Sequence, residues 1–139
     1  MPRIVVDSGP LIALFDRSDQ YHQQAVQFIR HKVSGTLYTN LAVITEVVYM
    51  LDFSTQAQGD FLTWVSQALV LDQETLLDFP NIISMIKKYA DLPADFADAS
   101  LIALCERLNT QLVASVDSDS TVYRNAAKQT FRNLFFEPQ

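Results

Sequence analysis

The sequence predicts an α/β fold, a mostly parallel sheet covered by helices on both faces. Two observations predict it. Short β-branched or apolar runs alternate along the chain with longer stretches of helical spacing. Hydrophobic residues make up 49% of the chain, and with only 3 Gly and 5 Pro there is little low-complexity or disordered sequence. The 139 residues suffice to close one core and are short for two ordinary domains, so a single domain over 1–139 is expected.

Ile4, Val5 and Val6 form the first strand, which ends at the turn-forming run Asp7-Ser8-Gly9-Pro10 before a helix from Leu11 to Phe15. Leu37 to Thr39 is a second strand, and Asn40 is placed to cap a helix from Leu41 to about Leu51. Ala68 to Leu71, Gln111 to Val116 and Leu134 to Phe136 are the third to fifth strand candidates. Helical spacing covers Tyr21 to Val33, Gln56 to Gln67, Ile82 to Tyr89 and Asp95 to Leu108, with loops expected at Asp52 to Asp60 and Tyr89 to Ala94. The sequence has no internal repeat, charge block or glycine-rich phosphate loop.

The segment from Ile4 to Phe15 superficially resembles a signal peptide, but Asp7 and Gly9-Pro10 interrupt it, so mature structure is expected. No apolar run reaches the ~18 residues that suggest a membrane span, so no membrane partner is expected. A single cysteine, Cys105, cannot form an internal disulfide, which points to a reducing, cytoplasmic setting. Ten Lys and Arg against 16 Asp and Glu give a net charge of −6, which argues against a polyanionic partner for the bare chain. A divalent cation bound in an acidic cluster reverses that local sign.

The acidic residues carry the chemistry. Glu46 is the only charge in the run from Leu41 to Leu51, and its helical neighbours are Ala42, Val43, Tyr49 and Met50. It is expected off the solvated face, where an ionised carboxylate costs several kcal/mol unless paired, protonated or metal-bound; the alternative is a Glu that reaches solvent at the helix edge or pairs with an Arg. Asp7 and Asp117 each follow an apolar strand, which places both at the carboxyl-end rim where open α/β sheets hold ligands. Either alone reads equally as a turn former or helix N-cap. Asp95 and Asp98, three apart, open the helix that follows, as an N-cap and capping-box acid or as carboxylates aimed into the crevice. Asp7, Glu46, Asp98 and Asp117 gathered at one edge would raise one another's pKa values, and a hard divalent cation relieves that repulsion. All-oxygen ligands favour Mg2+ or Mn2+ over zinc, for which His22, His31 and the lone Cys105 make a poor set.

Four segments then coincide: Ile4-Val-Val-Asp7-Ser-Gly-Pro-Leu-Ile-Ala-Leu-Phe15, Thr45-Glu46-Val-Val, Asp91-Leu-Pro-Ala-Asp95-Phe-Ala-Asp98-Ala-Ser-Leu, and Ser115-Val-Asp117-Ser-Asp119. In order and spacing they resemble the PIN-domain family of ribonucleases, especially the small toxins of bacterial VapBC-type toxin–antitoxin pairs. The resemblance spans nearly the full length. It implies a three-layer sandwich with a five-stranded, mostly parallel sheet, an acidic pocket for one or two Mg2+ or Mn2+ ions, RNA as substrate and a small antitoxin as partner. Asp7, Glu46, Asp98 and Asp117 match the four acids of that pocket, with Asp7 and Asp98 first for direct ligation. Ser8, Asp95, Ser115 and Asp119 are accessory candidates, each with a bland alternative in turn or capping chemistry. The fourth motif departs from the usual Thr-x-Asp followed by an aromatic residue: Ser115 keeps the hydroxyl and Ser120 lacks the ring, while Tyr123-Arg124 nearby agrees with the family's continuation.

Arg17 and Arg124 are candidates to hold the RNA backbone, and a homodimer surface is conceivable on Ile82 to Tyr89 with Phe53, Phe61 and Trp64. The competing reading is a PIN-like binding module without turnover. Phosphoryl-transfer proteins of the haloacid-dehalogenase or receiver type also place Asp after strand one. The former need a second Asp where Gly9 stands, and the latter a different acceptor and a late-strand Lys, neither of which is evident here.

Overall fold

The structure, a computed structural model, describes residues 1–90, 95–116 and 130–137. Strand β1 (Arg3–Val6) has Ile4, Val5 and Val6 all at or below 1% exposure. Successive strand side chains point to opposite faces, so three buried in a row require cover on both. Beside β1 lie β2 (Thr36–Asn40) and then β3 (Val70–Asp72); on its other side lie β4 (Leu112–Ala114) and then β5 (Arg132–Asn133), and every pairing is parallel. The chain thus runs outward from β1 to β3 and returns across the sheet to β4. With right-handed crossovers, that reversal sends the connecting helices to opposite faces and opens a crevice at the carboxyl ends of β1 and β4.

The helices are α1 (Ser8–Phe15), α2 (His22–Gln27, continued by a π-helical turn at Phe28–Lys32), α3 (Leu41–Met50), α4 (Thr55–Ala68), α5 (Phe79–Lys88, preceded by a 3-10 turn at Thr75–Asp78) and α6 (Phe96–Leu108). Phe15 packs edge-on against Phe61 and Trp64 and joins α1 to α4. Helix α6 buries Ala97 and every residue from Ala99 to Cys105, the behaviour of a helix apolar on all sides. It ends on Asn109 in the left-handed region (φ 54), a conformation that Asn tolerates.

Several boundaries differ from the sequence expectation. Helix α1 starts at Ser8, with Gly9 and Pro10 inside its first turn; Pro is tolerated there because those N–H groups lack intrahelical partners. Ser54 caps α4 by accepting the Ala57 N–H at 3.1 Å, so the loop expected over Asp52 to Asp60 gives way to helix at Thr55, and Ala68 belongs to α4, not β3. The fifth strand is Arg132–Asn133, not Leu134 to Phe136. Leu134 still donates its N–H to Val113 O at 2.8 Å, but Phe135 is fully buried and packs edge-on against Tyr21, Phe28 and Phe136, so it closes the core, while Phe136 itself is exposed. Of the candidate dimer residues, Phe61 is core, Trp64 half-buried and Phe53 exposed, while α5 buries Ile82 and Met85 and exposes Ile83 and Ile86.

Gly9 and Arg107 fix close contacts between these elements. A Cβ on Gly9 would lie 2.2 Å from Val116 Cγ2 and 3.2 Å from its Cβ, so the chain leaving β4 passes tightly over the start of α1. Arg107 forks to both oxygens of Asp72 (2.9 and 2.7 Å) and of Asp78 (3.0 and 2.9 Å), tying α6 to the end of β3 and the turn before α5. Its guanidinium holds the Asp72 carboxyl below the usual range. This contribution is present above the ordinary carboxylate pKa and fades as pH falls through the lowered folded value.

Gly9→Ala is expected to lower stability by about 1–3 kcal/mol, because β-branched Val116 cannot rotate aside cheaply; an unchanged denaturant midpoint would show that Val116 yields freely. Arg107→Ala should cost about 3 kcal/mol by leaving two largely buried carboxylates unpaired. Arg107→Lys should recover little of it, since an ammonium cannot fork to both. Thermal melts at neutral pH decide, and near-complete recovery by Lys would refute the bidentate account.

Candidate functional site

The carboxyl ends of β1 and β4 bring the first components together. The Asp7 N–H donates to Ala114 O at 2.9 Å, carrying the ladder one residue beyond β1. The Asp7 side chain caps α1: Oδ1 accepts the Ser8 N–H at 2.7 Å, and Oδ2 accepts the Ser115 hydroxyl at 3.3 Å, a long bond across the β1–β4 seam. Ser115 is buried, and Ser8 and Asp7 are half-buried.

Glu46 and Asp98 arrive on α3 and α6. Asn40 caps α3 as expected, accepting the Val43 N–H at 3.2 Å. The same amide donates to Ser100 Oγ at 2.9 Å, whose hydroxyl donates to Ala97 O at 2.7 Å. This buried chain fixes the start of α3 against the first turn of α6, and so fixes the helix bearing Glu46 relative to the helix bearing Asp98. Asp95 and Asp98 form the capping box: Asp95 Oδ1 accepts the Asp98 N–H at 2.8 Å, and Asp98 Oδ2 accepts the Asp95 N–H at the longer distance of 3.5 Å. Glu46 is half-buried between fully buried Val43 and Tyr49, which is 73% exposed, so it stands at the helix edge and not on a wholly apolar face.

These acids feel one another. Burial, then the charges of Asp95 and Asp7, push the Asp98 carboxyl up to about 7. The same three causes, in the same order, raise Glu46. Asp7, Glu46, Asp95 and Asp98 therefore share one electrostatic neighbourhood at the rim, and the donor set is carboxylate oxygen throughout, which suits a hard divalent cation. Among the described residues, no three His, Cys, Asp or Glu side chains form a group that could hold a metal ion. Asp117 and Asp119 lie outside the described residues, as do Asp91, Ser118, Ser120, Tyr123 and Arg124.

Other candidates fall elsewhere. The His22 ring Nδ1 sits 2.8 Å from Ala13 O and His31 is exposed. Burial, then the Glu106 charge, push the Cys105 thiol up to about 12, the state of an inert core cysteine. Arg17 is exposed. The sequence reading assigned no site role to the Asn40–Ser100 link or to Asn133, which bonds the backbone of Ser115. Polar Ser100 within an apolar helix was a visible hint; nothing local marked Asn133.

A carboxyl with a raised folded pKa keeps more protons in the folded state than in the unfolded state. Its contribution therefore falls as pH rises from the ordinary Asp value of 3.8 towards about 7 and is level above that. In chelator, Asp98→Asn is expected to melt higher than wild type at pH 8 and to show a flatter stability profile between pH 4 and 7; parallel profiles would contradict the mutual repulsion.

The sequence profile of the PIN domain matches residues 4–128. No curated protein matches the sequence. Among solved structures, the fold is similar to that of VapC20 from Mycobacterium tuberculosis, described as a sarcin-ricin loop cleaving toxin, with a TM-score of 0.75 at 18% identity over 84% of this chain and 91% of that one. Strand order, the acids at the switch point and a profile match over most of the length agree, and the chain belongs to the PIN-domain family.

Proposed function

We propose that this protein is a metal-dependent ribonuclease of the VapC toxin type, hydrolysing RNA phosphodiester bonds at the carboxyl-end rim of β1 and β4 as a single catalytic domain over 1–139. The observation that carries the reading is that burial and the charges of Asp95 and Asp7 act on both Glu46 and Asp98, which gathers at one rim three of the four acids that resemble the family's motifs in sequence. A Mg2+ or Mn2+ ion bound there would lower the pKa of water and offset charge building on the phosphoryl oxygens. Asp7 and Asp98 are assigned to hold it, with Glu46 and Asp117 ligating or orienting water at its edge. Ser115 holds Asp7 from β4, Ser8 supplies an N–H to the same carboxylate, Asp95 holds the first turn of α6, and Asp119 assists Asp117.

A chain of net charge −6 repels RNA overall, and the anchors assigned to its phosphates are the loaded rim and exposed Arg17, with Arg124 as a second cation. The same logic fits a cognate antitoxin that covers the rim and inserts an Arg or Lys where the cation would sit. A homodimer would use the exposed apolar stripe of Phe79, Ile83 and Ile86 on α5, joined by Phe96, whose ring contacts Phe79. No helix among the described residues is long and apolar enough to cross a membrane.

Labelled single-stranded RNA incubated with Mn2+ or Mg2+, with and without chelator, tests the reading. Wild type should cleave only with metal. Asp7→Asn and Asp98→Asn should each lose more than the roughly 10- to 100-fold that an outer partner of a metal ligand costs. Equal cleavage by all three proteins would identify a contaminant. A folded wild type that binds no Mn2+ at millimolar concentration would favour a PIN-like binding module without turnover.

A further inference from the structure

Strand β4 ends at Ala114, yet the next residue is held as firmly as if the ladder continued. The Asn133 carboxamide takes the place of a neighbouring strand. Its Oδ1 accepts the Ser115 N–H at 3.1 Å, and its Nδ2 donates to Ser115 O at 2.9 Å. Oδ1 also accepts the Phe135 N–H at 3.1 Å, so the amide is itself fixed by the turn that follows β5. Both backbone polar groups of Ser115, a residue only 2% exposed, are thereby paired, which leaves its hydroxyl aimed back across the seam at Asp7 Oδ2, 3.3 Å away. A backbone polar group buried without a partner is costly, so loss of the amide forces Ser115 to move or admit water. The chain cannot shift freely towards α1, because Val116 already presses on Gly9. Asn133 lies beyond residues 4–128, where the PIN profile matches.

From this geometry we infer that Asn133 is a positioning residue for the rim: through the backbone of Ser115 it orients the serine hydroxyl on Asp7, and so sets the direction in which the Asp7 carboxylate presents its oxygens to a divalent cation. The inference rests on the proposed metal-dependent reading of the same rim. The role assigned to Asn133 involves no contact with the cation, only its bonds to Ser115 and Phe135. Its effect passes through one hydroxyl, and a two-residue edge strand thereby controls an acid on the central strand.

The test is Mn2+ affinity by calorimetry on the full chain, read beside RNA cleavage. Asn133→Ala and Ser115→Ala should each weaken Mn2+ about 10-fold, the low end of the range for outer partners of metal ligands. The double variant should be no weaker than Ser115→Ala, because both act along one path. Phe135→Leu, which loosens the same turn without touching the amide, should lower the melting temperature and leave Mn2+ affinity within about twofold of wild type. If Asn133→Ala does not fold, Asn133→Ser serves instead, since its hydroxyl can accept from Phe135 but is too short for the paired bonds to Ser115. Wild-type affinity in a folded Asn133 variant, strictly additive losses in the double variant, or an equal loss in Phe135→Leu would each overturn the inference while leaving the nuclease reading intact. A wild type that binds no Mn2+ would overturn both.

Discussion

Carboxylates gathered at the end of a buried strand repel one another, and holding them side by side is the constraint on which the rest of this structure depends. Strand β1 cannot retreat, because Ile4, Val5 and Val6 are packed on both faces. Whatever follows it is delivered to a fixed point on the rim. The residue delivered is Asp7, beside which the fold places Asp98 and Glu46, each pushed towards its protonated form by burial and by the charges of Asp95 and Asp7. Such an arrangement weakens the folded state at neutral pH, and a surrounding network of satisfied hydrogen bonds is what makes it sustainable.

That network is built mostly from small polar residues at element boundaries. Thr39 donates to Val6 O at 2.9 Å, locking the end of β1 to β2. Asn40 both caps α3 and reaches Ser100, and Asp95 caps α6 through the backbone of Asp98. Capping and function are not competing explanations here. An N-cap residue is fixed in position by its bond to the helix, so Asp7 at the start of α1 is held at the rim, and Asp98 is held by the capping box that its own side chain completes. Arg107, by contrast, takes up the charges of Asp72 and Asp78, so those acids are compensated by the chain itself.

Much of this was legible one segment at a time. Strands at Ile4 to Val6 and Leu37 to Thr39, the cap at Asn40 and the helix after Asp95 follow from β-branched runs and capping residues, which act within a few positions. The misplaced boundaries share a cause. Gly9-Pro10 reads as a turn because Gly and Pro usually break helices, but in a first turn neither is penalised for its N–H. Leu134 to Phe136 reads as a strand because it is apolar, but only Phe135 is fully buried, and it is covered by the rings of Tyr21 and Phe28, far away in sequence. Glu46 was expected to be enclosed by apolar neighbours, yet whether Tyr49 is covered depends on what packs over α3, and 73% of it is exposed.

By itself the sequence determined the α/β class, the order of strands and helices along the chain, and the acids that could serve a cation, since hydrophobic period, capping chemistry and residue type are local properties. Only the tertiary structure decided which strands are neighbours and therefore which acids meet. Placing β4 beside β1 brings Ser115 to Asp7 across more than a hundred residues of chain, and placing β5 beside β4 brings Asn133 to Ser115. Contacts between distant segments are fixed by how whole layers bury their faces together, and no short stretch of sequence contains that information.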